Sequence, residues 1–162
     1  MSPSTRGYAL SQSEGEAIWF LGALATIKAT SEQTHNAFAL QEQVVAPGLE
    51  PPPHSHQQDE AFYVLEGAMT VRCGDQLWYA AAGSFAFLPQ GIVHAFKVEG
   101  TTPVRVLVIT SPGGPLGFEH FVEEMGEPAK ALTLPPAEPP DLAKLQTLAA
   151  KYGIEVVGPA QE

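Results

Sequence analysis

Three of the five histidines in this chain stand in two dense clusters. The first runs Gly48, three prolines at 51 to 53, His54, His56, Glu60 and Gly67; the second runs Gly83, Pro89, Gly91 and His94. His54 and His56 are two residues apart, so on an extended strand both side chains point to one face, and Glu60 keeps the same parity. Two imidazoles and a carboxylate on one side form a donor set suited to Fe, Mn, Co, Ni, Cu or Zn. His94 adds a third imidazole from a later strand, entered through a Pro and Gly turn. His35 and His120 have no such company and read as exposed surface histidines. Cys73, the single cysteine, sits in a strand pattern and reads as a small core residue.

These side chains need a scaffold, and the chain supplies short apolar runs broken by Gly, Pro or polar clusters. Strands are predicted at 18–21, 24–29, 37–46, 61–66, 69–73, 76–80, 85–88, 93–98 and 104–110. Many short strands with turns at this spacing indicate an all-β sandwich or barrel. Residues 73 to 76 suggest a tight hairpin, because Gly74 supplies the positive φ such a turn requires. The period changes after residue 115. Phe118, Phe121, Val122 and Met125 recur at helical spacing, predicting a short amphipathic helix over 117–125. A Pro-rich linker follows at 135–140. Asp141 then caps a second helix with Leu142, Leu145, Leu148 and Tyr152 on one stripe and Gly153 as its stop. The run 154–157 is either an edge strand or a surface trail. The expected division is a loose lead-in at 1–16, a β domain at 17–135 and a helical tail at 136–162.

The 162 residues suit one domain, and 44% apolar with 16% charged residues describe a globular protein. A formal charge of −10 disfavours phosphate backbones and anionic lipid surfaces as partners. A polar N-terminus without an apolar core, no apolar run of about 20 residues, and a lone cysteine make a cytoplasmic location the expectation.

The fixed positions also match a family pattern. Gly-x5-His-x-His-x3-Glu-x6-Gly is met at 48, 54, 56, 60 and 67, and Gly-x5-Pro-x-Gly-x2-His at 83, 89, 91 and 94. The chain therefore resembles the cupin superfamily, departing only at Lys97, where members often carry Asn. That resemblance implies a double-stranded β-helix of jelly-roll type and one divalent transition metal on His54, His56, Glu60 and His94. The stretches 19–27, 31–38, 111–121 and 126–129 are further similar to bacterial single-cupin quercetin dioxygenases. What this second resemblance implies is a flavonol or related phenolic or enolic substrate, opened by O2 with release of carbon monoxide. Glu60 then has two roles, metal ligand and catalytic base for the substrate hydroxyl.

A planar aromatic substrate needs an apolar slot. Phe62 and Val64 share parity with Glu60, Phe96 shares it with His94, and Phe118 and Phe121 are placed to cover a barrel mouth. The same four ligands serve an isomerase, a decarboxylase or another ring-cleaving oxygenase, and a non-catalytic small-molecule binder is a further alternative. A homodimer is expected, because a sheet face bearing Ala61, Tyr63 and Leu65 would need covering.

Overall fold

The computed structural model describes residues 6–158. Residues 1–5 of the expected lead-in and 159–162 of the expected tail lie outside them; residues 6–15 carry no strand or helix. Two antiparallel sheets face one another. The larger has the order β11-β1-β2-β3-β10-β5-β8, built from β1 (Glu16–Phe20), β2 (Ala23–Ala29), β3 (Ala39–Val45), β5 (Asp59–Glu66), β8 (Phe85–Leu88), β10 (Val104–Ser111) and β11 (Glu127–Pro128). The smaller has the order β12-β4-β9-β6-β7, from β4 (His54–Ser55), β6 (Ala68–Cys73), β7 (Gln76–Ala81), β9 (His94–Val98) and β12 (Glu155–Val156). The strand spacing predicts this all-β arrangement, with boundaries shifted by a residue or two, and the cupin resemblance implies its jelly-roll form.

Alternation explains why the sheets close on one core. Phe62 and Val64 of β5, Val104, Val106 and Val108 of β10, and Met69, Val71 and Cys73 of β6 all face inward and form one buried cluster. Burying each such side chain contributes roughly 1.5–3 kcal/mol. Burial pushes the Cys73 thiol pKa up, as suits a core residue rather than a nucleophile. Gly67 joins β5 to β6 at φ +77°, and a Cβ there would lie 2.6 Å from the Pro103 carbonyl oxygen. Position 67 therefore has both a conformational and a steric reason to be glycine.

Three of the strands are only two residues long. β4 is two residues long because the prolines at 51–53 lack the N–H groups a longer ladder needs. β11 pairs with β1, and β12 pairs with β4, which settles the run at 154–157 as an edge strand. Two helices complete the chain, α1 (Phe118–Met125) and α2 (Leu142–Lys151). Asp141 caps α2 through its side chain, which accepts from the Lys144 N–H at 3.0 Å. Phe121, Val122 and Met125 of α1 and Leu148 of α2 bury against Ile18, Phe20, Ala25 and Ile27 in a second cluster, together with Tyr152. Leu142, expected on that stripe, is 63% exposed, because it stands at the helix start beyond the reach of α1.

Candidate functional site

The two histidine clusters meet where the sheets approach. His54 starts β4 and faces His94, which starts β9, in direct register. His56 lies just past β4, where the chain bends before β5 begins at Asp59. Glu60 does not reach the histidines by continuing their strand, contrary to the simple parity reading. It belongs to the opposite sheet and meets them across the barrel, because the bend at 57–58 carries the chain from one sheet to the other. The Gly91 N–H donates to the His56 carbonyl at 2.9 Å, and Gln58 Nε2 donates to the Leu116 carbonyl at 3.0 Å. These bonds hold the bend against both the β8–β9 turn and the segment leading into α1.

The ring centroids lie 4.6 Å apart for His54 and His94, 4.9 Å for His56 and His94, and 5.8 Å for His54 and His56. Each Nδ1 is anchored to a backbone carbonyl: His54 to Pro52 at 3.0 Å, His56 to Gln58 at 3.1 Å and His94 to Ile92 at 3.2 Å. A carbonyl only accepts, so every Nδ1 carries the proton and every Nε2 is left to face the site. Such bonds orient the imidazoles of metal centres. His94 Nε2 is buried and has no hydrogen-bond partner, a costly state for a lone pair unless a cation fills it. One ring nitrogen from each of the three histidines lies within 4.8 Å of the others, so the set could hold a metal ion. Glu60 Oε2 stands 2.9 Å from His56 Nε2 and 4.0 Å from His94 Nε2, adding a carboxylate to the same point.

Electrostatics separates the four residues. Burial pushes the His94 pKa down to about 4, helped by the neighbouring imidazoles and opposed by Glu60. Burial likewise lowers His54. Burial acts against charge on His56 too, but its hydrogen bond to Glu60 and the carboxylate charge outweigh it and raise the pKa. Glu60 is fully enclosed, yet the hydrogen bond from His56 and the charges around it hold its pKa below the usual value. The residues thus form one His56–Glu60 ion pair beside two neutral imidazoles. A metal would take the place of the shared proton, since a ligating imidazole must be neutral.

Beside this centre is a cavity of about 100 Å³, reached by His54, Glu60 and His94 and walled by apolar side chains. Phe62, Phe96, Phe118 and Phe121 line it; Val64 does not and lies in the inter-sheet core. Phe118 packs against His56 at 5.7 Å and against Phe121 at 5.8 Å. Gln43, Leu145, Ile154 and Val156 also line the cavity. Inward parity on β3 could have flagged Gln43, but nothing local marks the other three, which arrive from the far end of the chain. Among the described residues, no Lys or Arg lines it.

Of the two remaining histidines, one follows expectation and the other does not. His35 is exposed at φ +53°. His120 is half-buried, not a free surface group, because α1 packs it against the 30–36 loop. Its Nε2 is 2.8 Å from Glu32, its Nδ1 is 2.9 Å from Glu123, and the buried Glu119 is 3.8 Å away. Burial works against charge on His120, but the hydrogen bond to Glu123 and the surrounding carboxylates raise its pKa. Glu119 accepts from the Ser31 backbone N–H and, at 2.6 Å, from its hydroxyl, pinning α1 to that loop. A Cβ at Gly117 would lie 2.1 Å from Glu119 Oε1, so the pin needs glycine there.

Comparison with known proteins agrees with this picture. The Cupin domain family matches residues 41–110, which span β3 to β10 and contain all four residues of the centre. Quercetin 2,3-dioxygenase of Bacillus subtilis is 30% identical over 131 residues, 79% of this chain and 37% of that protein. An uncharacterized protein of Streptomyces coelicolor is 35% identical over 57 residues, 35% of this chain and 53% of that one. The chain therefore spans about half or less of the curated relatives it matches. Among solved structures, a predicted oxalate decarboxylase from Thermotoga maritima superposes with a TM-score of 0.59 at 19% identity, over 64% of this chain and 97% of that one. The polyketide cyclase RemF from Streptomyces resistomycificus gives 0.56 at 23% identity, over 65% and 79%. At such identities these two structures speak for the fold alone.

The fold is a jelly-roll β barrel with three histidines gathered between its sheets. Residues 41–110 form a cupin domain, and the chain resembles a quercetin dioxygenase. Among the described residues, no helix is long and apolar enough to cross a membrane.

Proposed function

We propose that this chain is a metal-dependent cupin dioxygenase that opens the heterocyclic ring of a flavonol, or of a related phenolic or enolic substrate, with O2. The observation that carries this reading is an apolar, aromatic-walled cavity lined by His54, His94 and the buried Glu60, with His56 against Glu60 behind them. His54, His56 and His94 would hold a divalent transition metal, with Glu60 as fourth ligand. The bound metal supplies Lewis-acid polarisation and a template for the reacting oxygens.

The protein's own groups do the rest. Phe62, Phe96, Phe118 and Phe121 take the planar ring system and exclude water. Glu60, ionised because its neighbours hold its pKa down, accepts the substrate hydroxyl proton at the carboxylate that lines the cavity. With their Nε2 lone pairs committed to the metal, His54 and His94 would not compete for that proton. The overall reaction takes flavonol and O2 to a depside and carbon monoxide.

A lining without Lys or Arg among the described residues favours a neutral aromatic over an anionic substrate. A homodimer suits the outer face of β5 and β8, where Tyr63 opposes Phe85 and all of Tyr63, Phe85 and Phe87 are exposed. Quercetin added anaerobically to protein loaded with Ni, Mn, Fe or Co is expected to bind, and admission of air is expected to release carbon monoxide. No turnover with any of these metals would sink the assignment.

A further inference from the structure

The cavity is not closed by the barrel alone. One wall comes from the C-terminal segment: Leu145 and Ala149 of α2, then Ile154 and Val156. That segment is fastened to the strand bearing the first histidine. Val156 lies opposite His54, Glu155 opposite Ser55, and the Val157 N–H donates to the Pro53 carbonyl at 2.9 Å. On its other side Leu148 and Tyr152 bury against α1, and Lys151 pairs with Glu124 at 2.8 Å.

Two features make this wall consequential. The space, about 100 Å³ and partly open to solvent, is well below the ~300 Å³ at which pockets for larger ligands begin. The fastening is also light. β12 is two residues long, both exposed, and the chain between β11 and α2 carries no strand or helix and holds four prolines, Pro135, Pro136, Pro139 and Pro140. α2 has a larger buried anchor than β12, so β12 is the part that yields at the lower cost.

We propose that Ile154 and Val156 determine the size of ligand the site accepts. With β12 paired to β4 the cavity takes about one aromatic ring, and a ligand of several fused or linked rings enters only as β12 leaves β4. This rests on reading the cavity as a site for neutral aromatics, but not on any turnover there.

The test uses the full-length, metal-loaded protein under anaerobic conditions, with catechol as the one-ring probe and quercetin as the large one. Ile154→Ala and Val156→Ala are expected to tighten quercetin by about tenfold, since less displacement is needed, while catechol changes by less than about twofold. In the unaltered protein, quercetin but not catechol is expected to speed hydrogen exchange at the Val157 amide. Equal changes for both probes, or a Val157 amide as protected with quercetin as without it, would overturn the proposal. A shifted quercetin-to-catechol ratio without carbon monoxide release leaves the wall standing and removes only the dioxygenase reading. Failure of every form to bind either probe removes both.

Discussion

Two histidine–carboxylate clusters in this molecule have nearly the same contact distance and opposite character. His56 lies 2.9 Å from Glu60, and His120 lies 2.8 Å from Glu32. In the first, three imidazoles surround one carboxylate, all deep in the barrel. In the second, one imidazole is surrounded by Glu32, Glu119 and Glu123 at the rim, with the His120 side chain 23% exposed. Where imidazoles outnumber carboxylates and burial is deep, at most one can keep its second proton, so the others become neutral donors. Where carboxylates outnumber the imidazole, they raise its pKa, and it pins two segments together. Local stoichiometry and burial, not contact distance, set the proton affinity of each cluster, although both bring ligand atoms close enough to share an ion.

The comparison can be broken most severely at the centre. His94→Ala is expected to lower metal affinity at least about 100-fold, while His120→Ala leaves metal content unchanged; elemental analysis after dialysis reads both. Equal metal loss in the two variants would mean that the rim cluster also binds. Next, Glu60→Gln is expected to retain bound aromatic ligand but lose turnover by roughly 10²–10⁴-fold. A variant that keeps both would make Glu60 a ligand only, or the protein a binder.

Smaller effects sharpen the rim side. Glu119→Ala removes an acceptor shared by the Ser31 amide and hydroxyl and is expected to cost about 2–3 kcal/mol in denaturant unfolding, with metal content intact. His120→Gln is expected to cost about 0.5–1 kcal/mol, and only at low pH. Its folded pKa is raised, so the ion-pair contribution is fully present below the ordinary value of about 6.5 and disappears as pH rises through the raised one. Unfolding curves of both proteins from pH 5.5 to 9 check the sign; a gap that widens with pH would contradict a protonated latch.

Much of this was legible before any coordinates. Period-two alternation marked the strands because each buries one face, and the Gly and Pro separators marked their ends. The spacing of His54, His56, Glu60 and His94 stood out because few structures other than a binding site need those residue types so close together. Val64 was misplaced because parity says which face a side chain takes but not how far along the barrel it sits. His120 was misread because its partners Glu32 and Glu119 lie on separate elements, and nothing at position 120 announces them.

The β-barrel class, the candidate donor set and the aromatic character of the residues around it are thus readable along the chain, because all are local or periodic signals. Tertiary structure alone decided that Glu60 meets the histidines from the opposite sheet, which imidazole shares its proton, and that Ile154 and Val156 wall the cavity. Each of these depends on contacts between residues distant in the chain, where burial and neighbouring charge act together. No pattern along the sequence records which segments those will be.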